Sequence, residues 1–296
     1  MIKNWPEVAT FSIIGFDPET KEWGVAVQSK FLGVGAVVPW AEACVGAVAT
    51  QSFANTAFGP EGLALLKKGL APEKIIEELI KEDPDRELRQ FAVMNSKGET
   101  AAYTGENCYH WAGHQAGTYC TAQGNILVSE DTVQQLVKTF ESASGSLAER
   151  LVEALDKAQA AGGDSRGKQS AALFIVQDKG GYGGYNDRKY DLRVDDHKEP
   201  IKELRRLYEL HKLYFSQPAE EDLLQLEGDV LKEVQQLLAS NGLLERAEDT
   251  YTDHVKKQLK TYYMQENFEE RWRDDHLIDP QIITYMKETA DQKETL

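Results

Sequence analysis

The chain has 296 residues, 41% hydrophobic and 28% charged, with 33 lysines and arginines against 49 aspartates and glutamates, a formal net charge of -16. Such a length supports a sizeable buried core, and the acidity works against a nucleic-acid backbone or an anionic membrane surface as partner, because either repels the chain at long range. No segment approaches the roughly 20 apolar residues of a membrane span, and no basic stretch followed by an apolar one stands at the N-terminus, so a cytoplasmic protein is expected.

In chain order, nine residues, MIKNWPEVA, form an extension before Thr10, which opens a predicted strand, TFSIIGF. A turn at Pro18 to Glu22 leads to GVAVQSK, and VGAVVPW and CVGAVAT read as further closely packed strands, being rich in valine, alanine and glycine. A helical hairpin follows, with Pro60 and Pro72 in first turns and Leu63, Leu66, Ile75, Ile76, Leu79 and Ile80 at helical spacing. The strand pair RQFAVMN and ETAAYTG comes next, then a loop rich in glycine, histidine and tryptophan, then the strand YCTAQGNIL. Two more helices precede the strands SAALFIVQ and YDLRVDD, the second helix opening on a capping box of Ser146 and Glu149.

Strands, a helical pair, strands, a helical pair and strands again is the order expected of two stacked sheets covered by helices on both outer faces, a four-layer αββα sandwich in an α+β chain. A helix from Pro200 to Tyr214 leaves it, and SQPAEED is the expected linker, with a boundary near Ser216. Beyond lie three amphipathic helices. The first carries Leu223, Leu226, Val230, Val234, Leu237 and Leu238 and stops at Asn241-Gly242; the second carries Val255, Leu259 and Tyr263; the third starts at Asp279-Pro280 and carries Ile282, Ile283 and Met286. The expected division is therefore 1–9 extension, 10–216 sandwich and 217–296 helical module.

The chemistry-bearing residues gather at strand ends. Thr10 is a hydroxyl at the start of a strand, the position from which a freed α-amino group can act as base for its own side chain. Residues two apart share a strand face, so of Ser29 and Lys30 at most one turns toward Thr10 in a regular strand. Lys30 reads either as a cation that eases deprotonation of the nucleophile or as a solvated strand end. Gln123, Gly124 and Asn125 end another strand; an amide beside a glycine N–H suits a tetrahedral oxyanion, and an ordinary turn is the alternative. Gln51 and Asn55 line a pocket mouth or cap a turn. In AGGDSRGKQSAALFIV, Arg166 can grip a substrate carboxylate with Asp164 holding it, or the two fasten the corner as an internal ion pair.

His114 is counted with the substrate-binding residues. Together with His110, Asp195, Asp196 and His197 it raises the question of a metal, but adjacent Asp195 and Asp196 point to opposite sides of an extended strand, so no metal and no cofactor are expected. Cys44, Cys108 and Cys120 fit no zinc or redox spacing and read as structural thiols.

TFSIIGFDPETKEWGVAVQSK, VGAVVPWAEACVGAVATQSFAN, WAGH, QGN, GGDSRGKQSAAL and DLRVDDH resemble the bacterial and archaeal family catalogued as domain of unknown function 1028, within the N-terminal nucleophile hydrolase fold group, over Thr10 to Tyr214. The tail, with GDVLKEVQQLLASNGLL and VKKQLKTYYMQENF, resembles the peptidoglycan-binding module associated with it. The resemblance implies an αββα sandwich and an amidohydrolase acting on a small amide, once the Ala9–Thr10 bond is cut to free the amine. The alternative is a non-catalytic protein whose helical module recognises a glycan, a peptidoglycan fragment or a partner subunit, and a homo-oligomer is expected because the aromatic tail suits an interface.

Overall fold

The computed structural model describes residues 10–294, with side chains to residue 290. The extension 1–9, and with it the amino side of the Ala9–Thr10 bond, lies outside the described residues.

The chain is mixed α/β with antiparallel sheets. It runs β1 (Thr10–Asp17), β2 (Glu22–Ser29), β3 (Pro39–Glu42), β4 (Gly46–Ser52), α1 (Phe58–Lys67), α2 (Pro72–Lys81), β5 (Arg89–Asn95), β6 (Thr100–Thr104), β7 (Gly113–Gly117), β8 (Cys120–Asn125), α3 (Asp131–Ser142), α4 (Leu147–Ala160), β9 (Ser170–Val176), β10 (Arg188–Val194) and α5 (Pro200–Phe215). One sheet has the order β10-β9-β2-β1-β8-β7 and the other β3-β4-β5-β6.

Strand alternation builds the core. Ile14, Val25, Val27 and Ala172 of the six-stranded sheet meet Ala47, Ala49, Ala92 and Met94 of the four-stranded sheet in one buried cluster. The opposite face of the six-stranded sheet takes α3 and α4, and glycine is required there: a Cβ on Gly15 would sit 2.6 Å from the Phe140 ring, and one on Gly24 2.7 Å from Leu151. On the outer face of the smaller sheet, Val48, Phe91 and Val93 pack with Phe58, Leu63, Leu66, Ile75 and Leu79 of α1 and α2. Ser146 accepts from the Glu149 N–H at 3.3 Å while its own N–H reaches the Glu149 carboxylate at 2.9 Å, so the capping box at the start of α4 is formed.

Three segments depart from the sequence expectation, the first being the run expected to open the tail's first helix: Leu223 and Leu226 stand before that helix, Gly228–Ser240, and flank a short strand, Leu224–Gln225. VGAVVPW is a 3-10 turn at Val34–Ala36 followed by β3, because Gly33 adopts φ 65° and the Val34 N–H is taken by the Ser170 hydroxyl at 3.2 Å. The histidine- and glycine-rich loop contains an edge strand, β7, whose sequence GHQAG has no β-branched residue to announce it.

The chain divides into two compact units between Leu207 and Tyr208, within α5. The second unit holds β11 (Leu224–Gln225), α6 (Gly228–Ser240), α7 (Asp253–Gln265), β12 (Leu277–Ile278) and α8 (Pro280–Glu294), with β11 and β12 paired. Leu231, Val234, Leu238, Val255, Leu259, Phe268, Ile282 and Met286 form its core. Buried Arg271 pairs with Asp279 and donates to the Lys212 carbonyl at 2.9 Å and to the Leu213 carbonyl. These are carbonyls of the last turn of α5, where the Ser216 N–H also donates to the Lys212 carbonyl at 3.0 Å, so the guanidinium fastens that turn within the second unit.

Candidate functional site

One row of side chains crosses four strands of the larger sheet. Asn125, Thr10, Ser29 and Ser170 are direct partners in successive register pairs, so all four share the face turned toward the smaller sheet. All four are buried. The Thr10 Oγ1 and Ser29 Oγ hydroxyls lie 3.0 Å apart, and either can donate. Among the described residues, no ionisable side chain hydrogen-bonds to the Thr10 hydroxyl.

Beneath this row runs a chain of neutral amides whose polarity is fixed by backbone carbonyls. Gln90 Nε2 donates to the carbonyls of Gly124 at 2.8 Å and Gly113 at 3.1 Å and lies 3.0 Å from Thr104 Oγ1. A carbonyl only accepts, so the nitrogen of Gln90 must be on that side and its Oε1 on the other. That oxygen receives Gln51 Nε2 at 2.8 Å and Asn125 Nδ2 at 3.0 Å, and Gln51 Nε2 also reaches the Thr10 carbonyl at 3.4 Å. Gln51 Oε1 accepts the Ser12 hydroxyl at 2.6 Å, which leaves Ser12 to accept from Gln123 Nε2 at 2.6 Å. The chain ends with Asn125 Oδ1 and Gln123 Oε1 buried and without a partner among the described residues.

The same bonds orient the backbone. One nitrogen can reach both the Gly113 and Gly124 carbonyls only if these face each other between β7 and β8. The Gly124 N–H lies on the same side of its strand as its carbonyl, so it points to β7, and the part of Gly124 in the cluster is its carbonyl.

The Asp164 corner adjoins the row through Lys30. The Lys30 N–H donates to Asp164 Oδ2 at 2.8 Å, and its side chain is exposed beyond the end of β2. Arg166 spans the Asp164 carboxylate, Nε to Oδ1 at 3.4 Å and Nη2 to Oδ2 at 3.3 Å, and also reaches the Lys30 carbonyl at 3.3 Å. Asp164 is thus a buried acid matched by one guanidinium and two backbone N–H groups, those of Lys30 and Arg166. Its role in holding Arg166 is visible in these bonds, and the corner is fastened by the same pair.

Asn55 is held apart from this cluster. Its Oδ1 accepts the Ala57 N–H at 3.1 Å and its carbonyl the Thr50 hydroxyl at 3.3 Å, which are turn contacts before α1. His114 lies on β7 opposite Gln123, with Nδ1 2.9 Å from Thr104 Oγ1. The residue is solvent-exposed, yet partial desolvation of its ring lowers the pKa below the ordinary histidine value. No group of three or more histidine, cysteine, aspartate or glutamate side chains able to hold a metal occurs among the described residues. Gln90 and Ser170 join the site without having been singled out in the sequence. Gln90 had a signal: it is the one polar residue on the inward-facing side of RQFAVMN, with Ala92 and Met94.

The comparisons with known proteins fit this division of the chain. The family described as "Family of unknown function (DUF1028)" matches residues 10–204, and that described as "Putative peptidoglycan binding domain" matches residues 214–286. Among solved structures, the DUF1028 protein SPO2555 from Silicibacter pomeroyi is similar at 28% identity and a TM-score of 0.64, over 75% of this chain and 88% of that one. No curated protein matches.

Proposed function

Since this chain belongs to the DUF1028 family and carries a peptidoglycan-binding-like domain at 214–286, we propose that it is an amide hydrolase of the N-terminal nucleophile type, built on an αββα sandwich, with Thr10 as nucleophile. The observation that carries this reading is the setting of the Thr10 hydroxyl: it opens a core strand, lies against Ser29 in a polar row, and has no ionisable side chain at hydrogen-bond distance among the described residues. A hydroxyl is a weak nucleophile until a base is within reach, and here the base nearest by construction is the amine of Thr10 itself once the Ala9–Thr10 bond is cut.

In this reading Oγ1 adds to the amide carbonyl as its proton passes to the α-amine. The amine returns that proton to the leaving nitrogen, and water then releases the acyl group from the threonine ester. Ser29 holds Oγ1 in place at 3.0 Å. Lys30 beside the Arg166–Asp164 pair gives the corner at the end of β2 a net positive charge, which suits an anionic group on the substrate.

The match over 214–286 supports a second element, recognition of a peptidoglycan fragment by the helical unit, which makes muropeptide amides the first substrates to try. The test is hydrolysis of a panel of muropeptide and simple acyl amides by protein whose first residue is Thr10. Turnover that Thr10→Ala abolishes and Ser29→Ala lowers is the expected result. Turnover unchanged in Thr10→Ala removes the threonine from the mechanism, and binding of the fragments with no turnover of any amide leaves the protein a binding module.

A further inference from the structure

The amide chain leaves one of its two unpaired acceptors, Asn125 Oδ1, on the residue directly opposite Thr10, and its chemistry says what it awaits. Buried acceptors without donors are costly, about 1–3 kcal/mol each, and the polarity of the chain cannot be reversed to relieve them, because the Gly113, Gly124 and Thr10 carbonyls fix every amide in it. Asn125 is the direct register partner of Thr10. Even-numbered residues of β1 turn their N–H groups toward β8, as the Phe16 N–H to the Tyr119 carbonyl at 2.9 Å records, so the nitrogen of Thr10 lies on the Asn125 side. In an unbroken chain that nitrogen has one hydrogen, and the ladder directs it in the plane of the sheet. A freed amine is tetrahedral and has more hydrogens to place, one of them toward the face on which the Asn125 side chain stands.

We propose that Asn125 Oδ1 is the acceptor for the freed α-amine of Thr10, a positioning residue that holds the base beside its own hydroxyl. The inference rests on the hydrolase reading only for the cut at Ala9–Thr10. It assigns Asn125 to the amine: its Nδ2 donates to Gln90 Oε1, and its oxygen waits for a donor. The whole of the Ser12–Gln51–Gln90–Asn125 chain then serves to aim one oxygen. It also explains why the residue is an asparagine. A carboxylate there would raise the amine's pKa and keep it protonated, unable to act as base near neutral pH.

The test measures the amine directly in protein beginning at Thr10. Trace labelling with dinitrofluorobenzene across pH, read by mass spectrometry of the N-terminal peptide, gives the titration midpoint of the amine, whose ordinary value is about 8. Asn125→Asp is expected to raise that midpoint by about 1 to 3 pH units, as a nearby opposite charge does. Asn125→Leu, close in size and uncharged, is expected to lower it by about 1 to 2 pH units through loss of a hydrogen bond to the charged form. A midpoint unchanged in Asn125→Leu, with circular dichroism confirming the fold, overturns the proposal. If the midpoints move as expected while no amide is hydrolysed, the positioning role stands and the hydrolase reading is what fails.

Discussion

The two units bury polar groups to different ends. In the second unit the buried polar centre is a charged pair, Arg271 with Asp279, and the guanidinium's further donors go to the Lys212 and Leu213 carbonyls. In the first unit the polar groups buried around Thr10 are neutral hydroxyls and amides, and their chain ends in two acceptors without a partner among the described residues, one on Asn125 opposite Thr10 and one on Gln123 opposite Ser12. A closed set of bonds is what a structural pin requires. An open set costs stability that only a further partner can return, and such sets mark places where the chain has work besides holding itself together.

The largest effect should come from breaking the closed set. Asp279→Ala leaves a buried guanidinium without its counter-charge and is expected to destabilise the second unit by about 3–5 kcal/mol in urea denaturation of the full chain. A loss below about 1 kcal/mol would show that the pair is not the pin described. Next comes Gln90→Leu, which removes the donor for two carbonyls and the acceptor for two amides and should cost at least about 2 kcal/mol. Thr10→Ala, which removes one hydroxyl contact, should cost less than about 1.5 kcal/mol. If Thr10→Ala were the more damaging of the two, Thr10 would belong to the scaffold and the contrast between the units would collapse.

A smaller, pH-dependent term comes from Asp83, whose hydrogen bonds to Arg89 at 2.8 and 3.2 Å hold its pKa below the ordinary carboxylate value. The folded-state pKa is depressed, so the stabilisation is present above the unfolded value of about 4 and is lost as pH falls through the folded one. Stability measured between pH 6 and pH 3 should therefore fall less steeply in Asp83→Asn than in the unaltered chain. An equal slope in both would assign the acid sensitivity elsewhere. Smallest of all is a reactivity difference: exposed Cys44 should take iodoacetamide in the native protein, while Cys120, buried and with its pKa pushed up to about 12, should not until unfolding.

Much of this was legible in the chain. Alternation in TFSIIGF and GVAVQSK gives the faces of β1 and β2, and it limits Thr10 to one neighbour of the pair Ser29 and Lys30; the register supplies which, Ser29. The capping box at Ser146 is a local device and is read locally. β7 was not legible because an edge strand of GHQAG is held by its partner β8 and by no propensity of its own. The reach of Gln90 was not legible either. A lone amide on a core strand signals a buried partner, but that partner is two strands of the other sheet, brought near by tertiary packing alone. Asn55, grouped with Gln51 by sequence proximity, is carried away from it by the turn into α1.

The most direct test of the account is the intact mass of protein made in its native host, with N-terminal sequencing of each species. The account requires a species whose first residue is Thr10, with a mass lower by the residues cut away. A chain in which the Ala9–Thr10 bond stays intact under all conditions, host lysate included, would contradict it, because the amine on which both the base and the role of Asn125 depend would never be formed.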